Sequence, residues 1–111
     1  MKNIYFIAGQ RTPFGAFGGS LKDIGATELS VHAAKAVIKK SGVKPQDIEH
    51  TIFGNVVQSG ADAAYLARHV GLKCDVPVNS GAFIVNRLCG SGFQAWVSAA
   101  QMMYSGEARC V

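Results

Sequence analysis

Between Ala82 and Tyr104 the chain passes from a β-favouring apolar stretch into a helix-favouring one with almost nothing between them. The segment reads Phe83-Ile84-Val85-Asn86-Arg87-Leu88-Cys89-Gly90-Ser91-Gly92-Phe93-Gln94-Ala95. A strand that becomes a helix within a residue or two holds Cys89 beside the unpaired N–H groups at the positive end of a helix dipole, a setting suited to a nucleophilic sulfur. Gly90 and Gly92 leave room for a substrate to approach. The competing reading is a cysteine packed as a small hydrophobe. That reading is kept for Cys74 and Cys110, which lack such a setting.

The remaining elements follow from periodicity and breakers. Asn3 to Ala8 is predicted as a buried strand, because its apolar residues are continuous rather than alternating. Gln10 to Leu21, with Pro13, Gly15, Gly18 and Gly19, is a loop. Thr27 is expected to cap a helix reaching about Lys40, with Leu29, Ala33, Ala36 and Val37 as its apolar stripe and Gly42 as its stop. Pro45-Gln46-Asp47 turns the chain into a strand over Thr51 to Val57. A short helix over Ala61 to Val70 is expected to end at Gly71.

A strand follows Pro77, at about Ala82 to Leu88. A helix from about Gly90 to Tyr104 carries Ala95, Ala99, Ala100, Met102 and Met103 over much of its surface and is expected to be buried on most sides. Gly106 ends it, and Glu107 to Val111 reads as the opening of a fourth strand. Alternating strands and helices predict an α/β fold with a mostly parallel sheet. Apolar β-branched residues rarely close a finished domain, so the chain reads as a fragment.

With 111 residues and 49% hydrophobic content, there is enough material for one core and one domain at most. The net charge of +4 is spread along the chain, its densest pair being Lys39-Lys40, which argues against a nucleic-acid partner and suits an anionic small molecule. Three cysteines with no CxxC spacing provide neither a disulfide framework nor a zinc site. Met1-Lys2-Asn3 runs straight into the first predicted strand without a signal or transit segment, and no apolar run is long enough to span a bilayer. The expectation is a cytoplasmic protein with no membrane partner and no bound metal.

Other motifs compete with Cys89. Gly90-x-Gly92-x-x-Ala95 matches the dinucleotide fingerprint and opens a helix after a strand, so a dinucleotide-binding module stays open as an alternative. A thiol before the first glycine has no use there, and the fingerprint's acidic partner is missing. Gly15 to Ser20 lacks the ending of a phosphate loop. His32, His50 and His69 are scattered; His69, one turn after Tyr65, reads as a satisfied structural histidine. A non-catalytic interaction fragment is a further alternative.

Several stretches together resemble one family. Asn86-Arg87-Leu88-Cys89-Gly90-Ser91-Gly92-Phe93-Gln94 resembles the acyl-enzyme signature of the thiolases, and Arg11-Thr12-Pro13-Phe14-Gly15-Ala16-Phe17-Gly18-Gly19 the loop after that family's first strand. Gly54-Asn55-Val56-Val57-Gln58-Ser59 and Tyr65-Leu66-Ala67-Arg68-His69-Val70-Gly71-Leu72 resemble its second strand and second helix, and lean toward 3-ketoacyl-CoA thiolases of mitochondrial type. The resemblance runs through all 111 residues in order.

It implies a thiolase fold of α/β/α/β/α layers, with residues 1–111 as the N-terminal part of the first half, broken off as the fourth strand begins. It implies that Cys89 forms an acyl thioester during reversible thiolysis and Claisen condensation of 3-ketoacyl-CoA. The backbone N–H of Cys89 would serve as an oxyanion donor. Coenzyme A and acyl-CoA would be substrates, with no tightly bound cofactor. The family's catalytic histidine and second cysteine match nothing in this chain, so the fragment alone is expected to be inactive, and the complete protein a homodimer or homotetramer.

Overall fold

The computed structural model describes residues 3–111. Two short strands, β1 (His50–Gly54) and β2 (Gly81–Val85), pair in parallel with His50 opposite Gly81 and Gly54 opposite Val85. The connection between them carries a 3-10 turn (Ala63–Tyr65) and the helix α2 (Leu66–Lys73). This is the βαβ unit that the alternation predicts.

Side chains alternate across a strand, so each face of this sheet meets a different helix. Phe53 and Ile84 pack on the cluster of Leu66, Val70, Cys74 and Val76, which is the core. Fully burying an aliphatic side chain in such a cluster contributes about 1.5–3 kcal/mol. Gly71 lies within α2, where a Cβ would stand only 3.0 Å from Thr51 Oγ1. It is there to let the helix approach the strand, and is not the stop expected of it. The helix runs on to Lys73; the Cys74 N–H closes its last turn on the Val70 and Gly71 carbonyls, and Asp75 turns away at φ 62°.

The first helix, α1 (Ala26–Ser41), covers α2. Its charges suit its dipole, with Glu28 in the first turn and Lys39 and Lys40 in the last. Gly42 takes the left-handed conformation at φ 72° and ends it, as expected. Two details differ from expectation. The N-cap is Gly25, without a side-chain hydrogen bond, and Thr27 lies inside the first turn. The residues against the core are Val31, Ala34 and Ile38 rather than the Leu29, Ala33, Ala36 and Val37 stripe. Apolar residues ring most of this helix, so periodicity alone leaves its rotation open.

The other sheet face meets α3 (Ser91–Ser105). Gly54 makes that contact possible, because a Cβ there would lie 2.8 Å from the Ser91 carbonyl carbon. Ala95 and Met102 are buried, but Phe93, Trp96, Val97 and Tyr104 are exposed, so α3 is not buried on most sides as expected. Its outward face is apolar yet uncovered among the described residues.

Four strand predictions need correction, the mildest being that over Ala82 to Leu88, which starts at Gly81 and ends at Val85 because Asn86 and Ser91 turn the chain there. Asn3 to Ala8 pairs with no strand among the described residues, and Tyr5, Phe6 and Ile7 are each more than 60% exposed. A continuous apolar run needs a ladder and two covering layers to become a buried strand. Here it has no ladder among the described residues, and Phe6 rests on Trp96 at 4.8 Å between ring centroids. The strand expected over Thr51 to Val57 begins one residue earlier and ends at Gly54, where the chain turns under α3. Glu107 to Val111 is no strand, although the Glu49 N–H donates to the Cys110 carbonyl at 2.9 Å beside the start of β1. The expectation of no leader rests partly on Met1 and Lys2, which lie outside the described residues. No helix among the described residues is long and apolar enough to cross a membrane.

Glu49 ties that last segment down. Its carboxylate accepts from the Arg109 backbone N–H and from Arg109 Nε and Nη2 at 3.3 and 3.2 Å. The Arg109 backbone hydrogen bond, seconded by its guanidinium, holds Glu49 below the ordinary carboxylate range. A depressed acid stabilises its contacts above the unfolded value, near 4.3, and loses them as pH falls through the folded value. The protection factor of the Arg109 amide, its exchange rate relative to that of an unstructured peptide at the same pH, is therefore expected to fall as pH drops below about 4.3, and in Glu49→Ala to be low already at neutral pH. Unchanged protection in both cases would refute the tie. Gly54→Ala is expected to destabilise the fold by about 1–3 kcal/mol in urea unfolding, since backbone rather than a flexible side chain must yield.

Candidate active site

The chain leaves β2 at Val85 and enters α3 at Ser91 through Asn86–Gly90. Two side chains shape this connection. Asn86 Oδ1 accepts the Leu88 N–H at 3.0 Å, a local turn that asparagine forms readily. Ser91 Oγ accepts the Arg87 N–H at 2.9 Å and donates to the Leu88 carbonyl at 2.6 Å. Backbone bonds add to these: the Gly90 N–H reaches the Arg87 carbonyl and the Ser91 N–H the Leu88 carbonyl, each at 3.0 Å.

Within Arg87 to Ser91, four N–H groups thus have acceptors. Among the described residues, the Cys89 N–H has none. Its thiol is free and exposed at the same point. Leu88, immediately before it, adopts φ 48°. A left-handed backbone costs a non-glycine residue roughly 1–2 kcal/mol, which the surrounding hydrogen bonds offset. Strain of this kind gathers at functional sites.

Gly90 is the N-cap of α3 and offers no side chain to the first-turn N–H groups, which leaves their positive end open next to Cys89. Arg87 adds a cation to the loop and is held by Nη1 donating to Gln94 Oε1 at 2.7 Å. Gln94 in turn reaches Ser98 Oγ at 3.2 Å.

The other cysteines stand in different surroundings. Cys74 is buried in the core, its sulfur 3.9 Å from the Val31 carbonyl, and burial pushes its thiol pKa up. Cys110 is half-buried beside Glu49 and Asp47, and burial followed by those carboxylates raises its thiol too. A raised pKa leaves less thiolate for attack.

None of the histidines hydrogen-bonds to Cys89 among the described residues. His32 is exposed on α1. His69 stacks on Tyr65 at 6.1 Å between ring centroids. His50 lies edge-on to Phe83 at 5.4 Å, with Nδ1 buried and lacking a partner. No group of three or more His, Cys, Asp or Glu among the described residues could hold a metal. Gly92, the second glycine of the dinucleotide pattern, has open space where a Cβ would stand, so no close approach requires glycine there.

Sequence reasoning located Cys89 but passed over Asn86, Ser91 and Gly54. The Asn86-x-Leu88 spacing is a readable turn signal. Gly54 is only visible once the strand end and the helix start are seen in contact.

A family model described as Thiolase, N-terminal domain, matches residues 4–111. The mitochondrial 3-ketoacyl-CoA thiolase of Mus musculus is 51% identical over 111 residues, which is all of this chain and 28% of the mouse protein. The Homo sapiens mitochondrial 3-ketoacyl-CoA thiolase is 49% identical over the same coverage. The crystal structure of the human enzyme superposes with a TM-score of 0.90 at 52% identity, over 92% of this chain and 26% of that one; its complex with CoA matches equally. The chain therefore spans little more than a quarter of the length of these relatives. The expected cytoplasmic location is overturned, because these relatives are named as mitochondrial enzymes. With nearly every residue inside the family match and an α/β arrangement shared with a solved thiolase, this chain belongs to the thiolase family.

Proposed function

We propose that this chain supplies the acyl-carrying nucleophile of a thiolase, and that the nucleophile is Cys89. The observation that carries the reading is the unpartnered Cys89 N–H beside an exposed thiol at the start of α3. A donor left open in a loop that satisfies its neighbours is suited to an oxygen that gains charge during reaction.

In the degradative direction, the Cys89 thiolate attacks the keto carbon of a 3-ketoacyl-CoA. The carbonyl oxygen takes up negative charge and is held by the Cys89 N–H. Collapse breaks the bond between the α-carbon and the former keto carbon, and the departing enolate of acetyl-CoA takes a proton. The shortened acyl group remains on sulfur as a thioester. The thiol of free CoA then attacks that thioester, releasing acyl-CoA and restoring Cys89. Run backwards with acetyl groups, the same steps form a carbon–carbon bond.

The helix terminus contributes only about 0.3–1 kcal/mol, up to roughly 2 in partly buried sites. That is too little to activate an ordinary thiol unaided, so a positioned base must take the proton. No histidine hydrogen-bonds to Cys89 among the described residues, and on this reading the base comes from the part of a thiolase that these residues do not cover. The second cysteine that the family uses at the α-carbon belongs there too. On this reading residues 1–111 form the N-terminal part of the first thiolase half, and the working protein is a homodimer or homotetramer. A relative solved in complex with CoA supports CoA and acyl-CoA as substrates rather than as resident cofactors.

The active protein incubated with acyl-CoA is expected to gain one acyl mass on the peptide that contains Cys89. Cys89→Ala is expected to remove the adduct and lower thiolysis by on the order of 10³-fold or more. An adduct mapped to Cys74 or Cys110, or full activity in Cys89→Ala, would refute the assignment.

A further inference from the structure

The Leu88–Cys89 peptide carries two groups with opposite fates. Its carbonyl accepts twice from one residue, from the Ser91 N–H at 3.0 Å and from Ser91 Oγ at 2.6 Å. Its N–H, on Cys89, has no acceptor among the described residues. The described chain contains no cis peptide, and in a planar trans peptide the carbonyl and the N–H point in opposite directions. Whatever pulls the Leu88 carbonyl inward therefore turns the Cys89 N–H outward.

Ser91 is placed to do this firmly. It is buried, at 4% exposure, and its hydroxyl also accepts the Arg87 N–H at 2.9 Å. Behind it stands Gly54, against which Ser91 packs so closely that a Cβ would fall 2.9 Å from Ser91 Cβ. Ser91 thus links Gly54, the last residue of β1, through its backbone and Cβ, to the loop bearing the sulfur, through its hydroxyl. Without it, Leu88 at φ 48° would lose one of the bonds that keep it in a disfavoured conformation.

We infer that Ser91 is a positioning residue for acyl transfer, aiming the Cys89 N–H at the acyl oxygen by anchoring the Leu88 carbonyl. The inference rests on the reading of Cys89 as the acyl-carrying nucleophile. It separates two properties of Cys89. Attack on an acyl-CoA develops a charged oxygen and needs the N–H. Alkylation by iodoacetamide is a displacement at carbon that develops no such oxyanion.

The test compares Ser91→Ala with the parent in the active protein, measuring acyl transfer and iodoacetamide alkylation of Cys89 side by side. The expected result is a fall in kcat of about 10-fold or more with KM within about twofold, since a misaimed donor loses part of what its removal would cost. The alkylation rate and its pH profile should stay within about twofold of the parent. A folded Ser91→Ala protein with unchanged acyl transfer overturns the inference. So does a parallel fall in both reactions, or failure to fold, because Ser91 would then be structural only. Cys89→Ala runs alongside: if it keeps acyl transfer, the reading of Cys89 fails, whereas loss in Cys89→Ala with no effect in Ser91→Ala sinks the Ser91 inference alone.

Discussion

The contact between Gly54 and Ser91 is the constraint on which the site depends. A strand end and a helix start can meet this closely only where one of them has no side chain, and a Cβ on Gly54 would lie within 2.9 Å of three Ser91 atoms. That approach buries Ser91, and burial obliges its hydroxyl to find partners within the protein. It finds them on Arg87 and Leu88, the residues that lead into Cys89. A packing condition at the sheet thereby becomes a hydrogen-bond condition on the Cys89 loop.

The rest of the fold provides a rigid base for that contact. The parallel pair β1 and β2 is pinned on one side by α2, where Gly71 allows the helix to lie against Thr51 and the cluster of Leu66, Val70, Cys74 and Val76 excludes water. α1 covers α2 through Val31, Ala34 and Ile38. The other side carries α3 and the Cys89 loop. Sites raised on strand and helix ends are held more precisely than sites on free loops, which is what a nucleophile needs when an error of an ångström is costly. On α3 the exposed Phe93 and Trp96 meet edge to face, and Phe6 extends the same aromatic surface.

Much of this was legible in the residues, and the misses have physical causes. β2 and α3 could be placed because a β-favouring run, a glycine-flanked turn and a long helical stretch follow one another without ambiguity. Cys89 stood out for the same reason. Asn3 to Ala8 misled because continuous apolar character reports a demand for burial, whereas a strand also requires a partner to complete its ladder. Thr27 has a capping side chain, yet Gly25 occupies the cap because extended backbone at ψ 155° suffices there. Gly71 looked like a stop signal although it serves a close approach across space. Gly54 and Ser91 escaped notice on the same ground: their meaning lies in a contact between residues 37 positions apart. The thiolase resemblance carried by the stretch around Cys89 agrees with the family match over residues 4–111. The inference of a cytoplasmic location relied on the cysteine pattern, the first residues and the lack of a long apolar run, and the named relatives contradict it.

The most direct test of the account is a crystal structure of the active protein trapped as its acyl-enzyme. The account predicts acyl density continuous with Cys89 Sγ and a carbonyl oxygen about 2.7–3.1 Å from the Cys89 nitrogen, with the Leu88 carbonyl still held by Ser91. An acyl group on another residue would contradict it. So would a thioester on Cys89 whose oxygen points away from that N–H.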